Sequence, residues 1–165
     1  MSQVATQSAS ALVDLLRSDV GVAKRLFDRL SGDPNLTRQY PEPVVHAAHL
    51  TGEHWEKNQP VRYPQLVVYC ERIRNLQTEK FRRFSGVVDL AIEVRNSSDH
   101  VVGLEQSTLL YVEAVTDVIE DCRGEWGQCI YSSGQYEVKF EAVKPGGKRF
   151  LQVARITVPV QVNLG

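Results

Sequence analysis

Apolar positions along the chain repeat with two periods, that of a helix and that of a strand. Between residues 99 and 122 they recur at three- and four-residue steps, which places them on one face of an α-helix. Runs 88–94, 136–140 and 150–162 alternate apolar and polar residues, as half-buried strands do. The turn at 144–148, Lys-Pro-Gly-Gly-Lys, predicts a hairpin between the last two runs. Because a one-sided helix needs a flat apolar partner, the pattern predicts a helix packed on a largely antiparallel sheet.

The first third of the chain carries a second helical pattern and then loses periodicity. Residues 8–31 have an apolar stripe, interrupted by Gly21, which predicts either a kink or two shorter helices. Residues 33–63 contain several prolines and little periodicity. A structureless loop of this length is unusual inside a compact domain. We therefore expect either an arm ordered by neighbouring subunits or a segment with a short helix near 44–50.

The predicted fold is α+β, in one domain that spans residues 1–165, with residues 1–10 as a flexible N-terminus. A mostly antiparallel mixed sheet of about four to five strands carries two main helices. A short apolar strand at 65–70 precedes the strand at 88–94. Ser97, Ser98 and Asp99 are predicted to cap the main helix.

Composition excludes several classes of protein. The chain has 165 residues, 42% hydrophobic and 24% charged, which is ordinary for a globular protein. A net charge of -1 argues against a dedicated nucleic-acid binder. No apolar run approaches the roughly 20 residues of a membrane helix, and residues 1–10 do not resemble a secretory signal. The three cysteines lack metal-ligand spacing, which indicates reduced thiols.

Candidate catalytic chemistry is sparse. His46, His49 and His54 lie close together, but no matching ligand pair follows, so loop histidines are favoured over a zinc site. The serines at 132–133 lack a nucleophile-elbow motif. The acidic residues near the end of the main helix are predicted to form a solvated flank; they are Glu113, Asp117, Glu120 and Asp121. We therefore predict no catalytic residue, no metal site and no cofactor.

Candidate interface residues are mostly basic. The stretch 71–83 is the most basic part of the chain, and it suits an acidic protein surface better than phosphates because the whole chain is not basic. A plain solvated hairpin tip is the equally open alternative. The lone tryptophan in the polar arm either anchors an interface or folds back on its own core. The predicted interface residues are Trp55, Arg72, Arg74, Arg82, Arg83, Lys144, Lys148 and Arg149.

Three segments resemble the small tail-terminator (tail-completion) proteins of long-tailed bacteriophages. They are the early strand 63–73, Tyr-Pro-Gln-Leu-Val-Val-Tyr-Cys-Glu-Arg-Ile, the strand-to-helix passage 87–118, and the ending 136–162 with its Lys-Pro-Gly-Gly-Lys turn. Together they cover about the last 100 residues. The resemblance lies in the order of the elements and not in a catalytic motif.

The resemblance implies a structural protein without enzyme activity, built on a mixed sheet with helices packed on it. Members form a hexameric ring on the finished tail tube, stop its polymerisation and present a surface to the head-side connector or neck protein. In contractile tails the ring also meets the sheath. The implied location is the head-proximal end of the virion tail, assembled in the host cytoplasm, with DNA only passing through the ring lumen and no membrane partner.

A ring subunit needs surfaces that its neighbours complete. The long last strand, whose alternation outruns its partner at 135–143, is predicted to expose a free edge. Closed cyclic symmetry requires that the two contacting faces of one subunit differ. Two alternatives remain: a head-completion or neck adaptor protein of the head–tail interface, and a small ligand-binding α+β domain.

Overall fold

The computed structural model describes residues 2–47 and 62–165 of the chain. These described residues form four helices: α1 (Ser2–Arg17), α2 (Val22–Arg29), α3 (Pro34–Gln39) and α4 (Leu104–Asp121). Eight strands accompany them: β1 (Val44–Ala47), β2 (Gln65–Asn75), β3 (Phe84–Ser98), β4 (Gly124–Gly127), β5 (Ile130–Ser132), β6 (Glu137–Phe140), β7 (Lys144–Gly146) and β8 (Arg149–Leu164). None of these described helices is long and apolar enough to span a membrane.

The strands form one mixed, mostly antiparallel sheet. Its order is β1-β2-β3-β8-β5-β4, with β6 and β7 also paired to β8, and β1 runs parallel to β2. The α+β prediction is therefore confirmed, but the described residues form a sheet of eight strands and not four to five. Most of the additional strands are only three or four residues long, too short to show an alternating pattern. The single-domain assignment for residues 1–165 stays a prediction.

The long strands β3 and β8 form the centre of the sheet. They pair along their whole length, from Phe84 opposite Leu164 to Ser98 opposite Phe150. One face of β3 belongs to the main apolar cluster, together with side chains of α1, α2 and α4. Its fully buried members include Leu12, Leu16, Leu90, Ile92, Val115, Ile119 and Ile156. Burial of each such side chain contributes about 1.5–3 kcal/mol.

The first helical pattern breaks at Gly21, as one of the two predicted outcomes. A Cβ on Gly21 would lie 2.2 Å from the carbonyl oxygen of Leu16, so only glycine allows the turn between α1 and α2. Residues 2–10, which were expected to be flexible, belong to α1, and Val4 is buried. The apolar side chains of this segment extend the stripe that packs on the sheet.

The cap of α4 differs from the prediction. Its N-cap is Gly103, with φ of 86°, and no side chain caps the first turn. Ser97 and Ser98 instead extend β3. The segment predicted as a loop, or as a short helix near 44–50, contains α3 and then β1, so Val44–Ala47 is a strand. The remainder of that prediction, including Trp55, lies outside the described residues.

The predicted free edge of the last strand is wrong. β8 pairs with β3 on one side, and β7, β6 and β5 follow one another along the other. The run 136–140 indicates β6, whereas β5 and β7 are not visible as separate elements in the sequence pattern. Their pairing makes β8 a central strand.

Candidate functional site

The sheet face away from the main apolar cluster carries buried charge. Asp89, Glu93 and Arg95 alternate along β3 and are each only 5% exposed. The alternation had predicted that these side chains face solvent. They are buried because β3 lies between two long strands, whose side chains flank it on this face as well.

Glu93 is the centre of a hydrogen-bond network. The Tyr69 hydroxyl donates to its Oε1 at 3.0 Å, Arg95 Nη2 donates to its Oε2 at 2.7 Å, and Arg155 Nη2 donates to Oε1 at 3.3 Å. Arg155 Nη1 also donates to Glu71 at 3.3 Å. The carboxylate thus receives donors from β2, β3 and β8, which ties the three strands together on this face.

The network shifts the pKa values of its members. Burial, reinforced by the neighbouring Glu93, raises the pKa of Tyr69 to about 12. Burial alone would raise the pKa of Glu93, but hydrogen bonds from Arg95, Tyr69 and Arg155 lower it below its ordinary value. At neutral pH, Glu93 is therefore a carboxylate and Tyr69 a neutral phenol.

A β-bulge at Glu71 sets the position of two predicted interface residues. Cys70 pairs with Leu90 and Arg72 pairs with Asp89, so Glu71 is the extra residue between them. The bulge turns Arg72 and Arg74 toward the charged face, where their side chains lie 2.7 Å and 3.7 Å from the Asp89 carboxylate. Strict alternation after Tyr69 would have placed both on the opposite face.

These side chains border an open groove of about 780 Å³. Its charged residues are Glu71, Arg72, Arg74, Asp89 and Glu137. Three carboxylates against two guanidinium groups make a poor phosphate site, since the cations are already neutralised. The described residues of its lining include no histidine or cysteine that would serve as a general base or thiol nucleophile.

The other predicted residues lie in two separate places. Arg82 and Arg83 are in the exposed loop between β2 and β3, where Arg82 Nε lies 3.2 Å from Glu79. Lys144, Lys148 and Arg149 lie at the opposite end of β3, where Arg149 Nε lies 3.4 Å from Asp99 and Lys144 Nζ lies 3.5 Å from Glu141. The predicted interface is thus not one continuous surface of the described chain.

Exposed apolar side chains occur at both of these ends, and the sequence analysis did not single them out. Phe81 is fully exposed (101%) in the β2–β3 loop, and Leu76 is 53% exposed. At the other end, Val102 is 92% exposed just before α4. Phe81 stands among Lys80, Arg82 and Arg83, and an aromatic residue inside a charged turn is the signal that would have identified it.

The acidic flank of α4 is not simply solvated. Arg29 reaches Asp117 at 2.6 Å and Glu113 at 2.8 Å, and Arg25 reaches Asp121 at 2.7 Å. These ion pairs join α2 to α4. The carboxylates therefore hold two helices together and are not an acid/base cluster.

Metal binding and disulfide formation can be assessed for the histidines and cysteines that the structure describes. Within residues 2–47 and 62–165, no group of three or more histidine, cysteine or acidic side chains is arranged to hold a metal ion. His49 and His54, weighed as ligands with His46, lie outside the described residues. Cys70, Cys122 and Cys129 are free thiols.

Comparison with known proteins identifies no family. No protein-family model matches the chain, and no curated protein matches it. A solved chain from the virion of a native gene transfer agent (GTA) particle aligns with 84% of this chain and 91% of its own length, at 14% identity and a TM-score of 0.40. A likeness at this level carries no argument about function.

Proposed function

We propose that the protein is a structural virion protein, a tail terminator of a long-tailed bacteriophage, without enzymatic activity. The observation that carries the proposal is the presence of exposed apolar side chains at two opposite ends of the sheet. Phe81 lies beyond the start of β3, and Val102 lies beyond its end. A protein that joins different neighbours needs two such distinct surfaces.

The two ends are well separated. β3 has 15 residues, and at about 3.3 Å per residue the strand spans roughly 45 Å. Exposed valine, leucine and phenylalanine side chains in polar loops favour protein contacts. The neutralised guanidinium groups of Arg72 and Arg74 favour a protein surface over nucleic acid in the groove between them.

The α+β fold agrees with what the family resemblance implies, a mixed sheet with helices packed on it. On that basis the proposed assembly is a hexameric ring on the tail tube. Its proposed partners are the tail tube protein, the connector or neck protein, and the sheath in a contractile tail. DNA passes only through the lumen. The proposed location is the head-proximal end of the tail, after assembly in the host cytoplasm.

The test is to mix the purified protein with assembled tail tubes, image the tube ends, and determine the mass of the protein in solution with and without tubes. Capped tube ends, with or without a free ring beforehand, support the terminator. A protein that binds portal or connector components but leaves tube ends bare is a neck adaptor. A persistent monomer with a tightly bound small ligand is a ligand-binding domain, and the proposal is then wrong.

A charge reversal tests the proposed role of the β2–β3 loop. Replacing Arg82 and Arg83 by glutamate is expected to weaken assembly and to leave the thermal unfolding midpoint nearly unchanged, because both side chains are exposed. The matched control reverses Lys139, an exposed cation of β6 that is not among the predicted interface residues. If assembly on tubes is unchanged by the arginine reversals, the loop is only solvated surface.

A further inference from the structure

The β2–β3 loop presents a single exposed aromatic side chain between cations. We call residues 76–83 the Phe81 loop. Phe81 is fully exposed, and Lys80 and Arg83 beside it form no ion pair with any described residue. Arg82 is already paired with Glu79. An exposed phenylalanine loses contact with water only when another surface covers it.

A groove on the same chain has matching properties. The Trp126 groove, of about 520 Å³, lies between α1 and β4. Leu15, Cys122 and Trp126 line it and are themselves packed against the main apolar cluster. Trp126 is held in place because its Nε1 donates to the Cys122 carbonyl oxygen at 2.7 Å. The groove thus offers a firm, partly apolar floor for an aromatic ring.

The charges at the groove complement those of the loop. Asp14 and Glu125 line the groove, and neither forms an ion pair with a described residue. Arg123 lies there too, but its Nε donates to the Glu120 carbonyl oxygen at 3.0 Å. The groove therefore carries two carboxylates against one guanidinium group, and this net negative charge complements the cations Lys80 and Arg83. Pairs of this kind guide association and fix its register.

The Phe81 loop and the Trp126 groove lie toward opposite lateral edges of the sheet. The loop follows β2, whereas β4 is the last strand beyond β8 and β5. Both lie at the end of the sheet where β3 begins, because β5 pairs with β8 at Ile130–Ser132 opposite Val160–Val162. A contact that joins opposite edges of identical chains is heterologous, and it closes into a ring when the rotation permits.

From this complementarity we infer that the Phe81 loop of one copy inserts into the Trp126 groove of a second copy, with Lys80 and Arg83 facing Asp14 and Glu125. The inference rests on the proposed self-assembly and names its contact. Phe81 is the anchor, and the four charged side chains form a rim around it.

A crosslinking experiment tests the contact directly. Phe81→Cys protein, reduced and then treated with a short bismaleimide, is expected to give a covalent ladder whose linked peptides join positions 81 and 122. Cys122 is a free thiol in the groove. The ladder should vanish in Phe81→Cys/Cys122→Ser. Val102→Cys is the matched control, since Val102 is 92% exposed at the other end of the sheet. A ladder that survives Cys122→Ser, or an equal ladder from Val102→Cys, overturns the contact.

Substitutions that need no crosslinker test the same contact through the affinity of self-association. Phe81→Ala should raise the dissociation constant of self-association, measured by sedimentation, at least about 30-fold, as expected for an interface anchor. Val102→Ala should change it less than about 3-fold. Reversal of Lys80 and Arg83 to glutamate should weaken association, and adding Asp14→Lys and Glu125→Lys should restore it. No effect of Phe81→Ala, or no rescue by the second reversal, contradicts the inference.

The outcomes separate this contact from the proposed function. If the wild-type protein caps tail tubes while Phe81→Ala assembles normally, the function stands and the contact is wrong. If copies associate through positions 81 and 122 but leave tube ends bare, the contact stands and the terminator function is wrong.

Discussion

Glu93 offers the sharpest test of how the sheet is held together. The Glu93→Gln substitution keeps the shape of the side chain. It removes the negative charge of the carboxylate, whose oxygens accept hydrogen bonds from Tyr69, Arg95 and Arg155. Removing one partner from a buried ion pair costs about 3–5 kcal/mol. Because glutamine retains one acceptor oxygen, we expect a loss near the lower limit, about 3 kcal/mol. Domains of ordinary stability have only about 5–15 kcal/mol in total.

The assay is urea unfolding, with the free energy of unfolding extrapolated to water. The matched control is Glu137→Gln, the same chemical change at an exposed position of β6 in the same sheet. The control should change the free energy of unfolding by less than about 0.5 kcal/mol. If Glu93→Gln and Glu137→Gln destabilise equally, the buried network does not stabilise the sheet and the reasoning is refuted.

The dependence on pH gives an independent check. The pKa of Glu93 is lowered in the folded protein, so its contribution is fully present above the pKa of the unfolded chain, about 4.3. The contribution is lost as the pH falls through the folded value. The stability difference between wild type and Glu93→Gln should therefore shrink below about pH 4. A constant difference down to pH 2 to 3, roughly, would contradict the assigned charge.

Three further predictions concern separate features. Gly86→Ala should destabilise the fold by more than about 2 kcal/mol, because the new Cβ would lie 1.9 Å from the Arg74 carbonyl oxygen. Gly146→Ala is the control in thermal unfolding, and it should be nearly neutral because a Cβ there would lie 3.6 Å from the nearest atom. Arg29→Ala should cost only about 1 kcal/mol by calorimetry, since its ion pairs to α4 are partly exposed to solvent, and Arg29→Lys should recover part of this loss. Tyr69 should titrate near pH 12 when phenolate absorbance is followed, and this titration step should be absent from Tyr69→Phe. The stability that Tyr69 contributes should fall as the pH rises from about 10 toward that value.

Long periodic elements were predictable from the sequence because one face of each is apolar. α4, β3 and β8 contain 18, 15 and 16 residues, respectively, and each repeats its pattern several times. β5 and β7 have three residues each, which is shorter than two full periods of a strand. The hairpin prediction anticipated the pairing of β6 with β8, but the pairings of β5 and β7 with β8 could not be predicted, and the supposed free edge of β8 was an error.

The charged face was missed for a different reason. Alternation identifies two faces of a strand but not what covers the second one. Asp89 and Glu93 were assigned to solvent because charged residues are rarely fully buried unless paired. Their partners come from β2, from β8 and, for Glu93, from Arg95 on β3 itself, and the β2 partners at Asp89 depend on a bulge at Glu71. No local pattern reveals a bulge of one residue.

The charged side chains of the Phe81 loop and the Trp126 groove differ from those of the charged sheet face in one physical respect. Those of the sheet face are already neutralised by ion pairs within the chain. On the sheet face, Arg72 and Arg74 share Asp89, and Glu93 accepts from two arginines. These groups would have to break existing pairs to bind a partner. The Phe81 loop and the rim of the Trp126 groove, by contrast, contain charged side chains without an ion pair to a described residue, namely Lys80 and Arg83 in the loop and Asp14 and Glu125 in the groove. Since exposed charges are screened within about 10 Å at 0.1 M salt, this rim should guide association strongly only at low ionic strength. The apolar anchor, Phe81, should then determine how long the contact lasts.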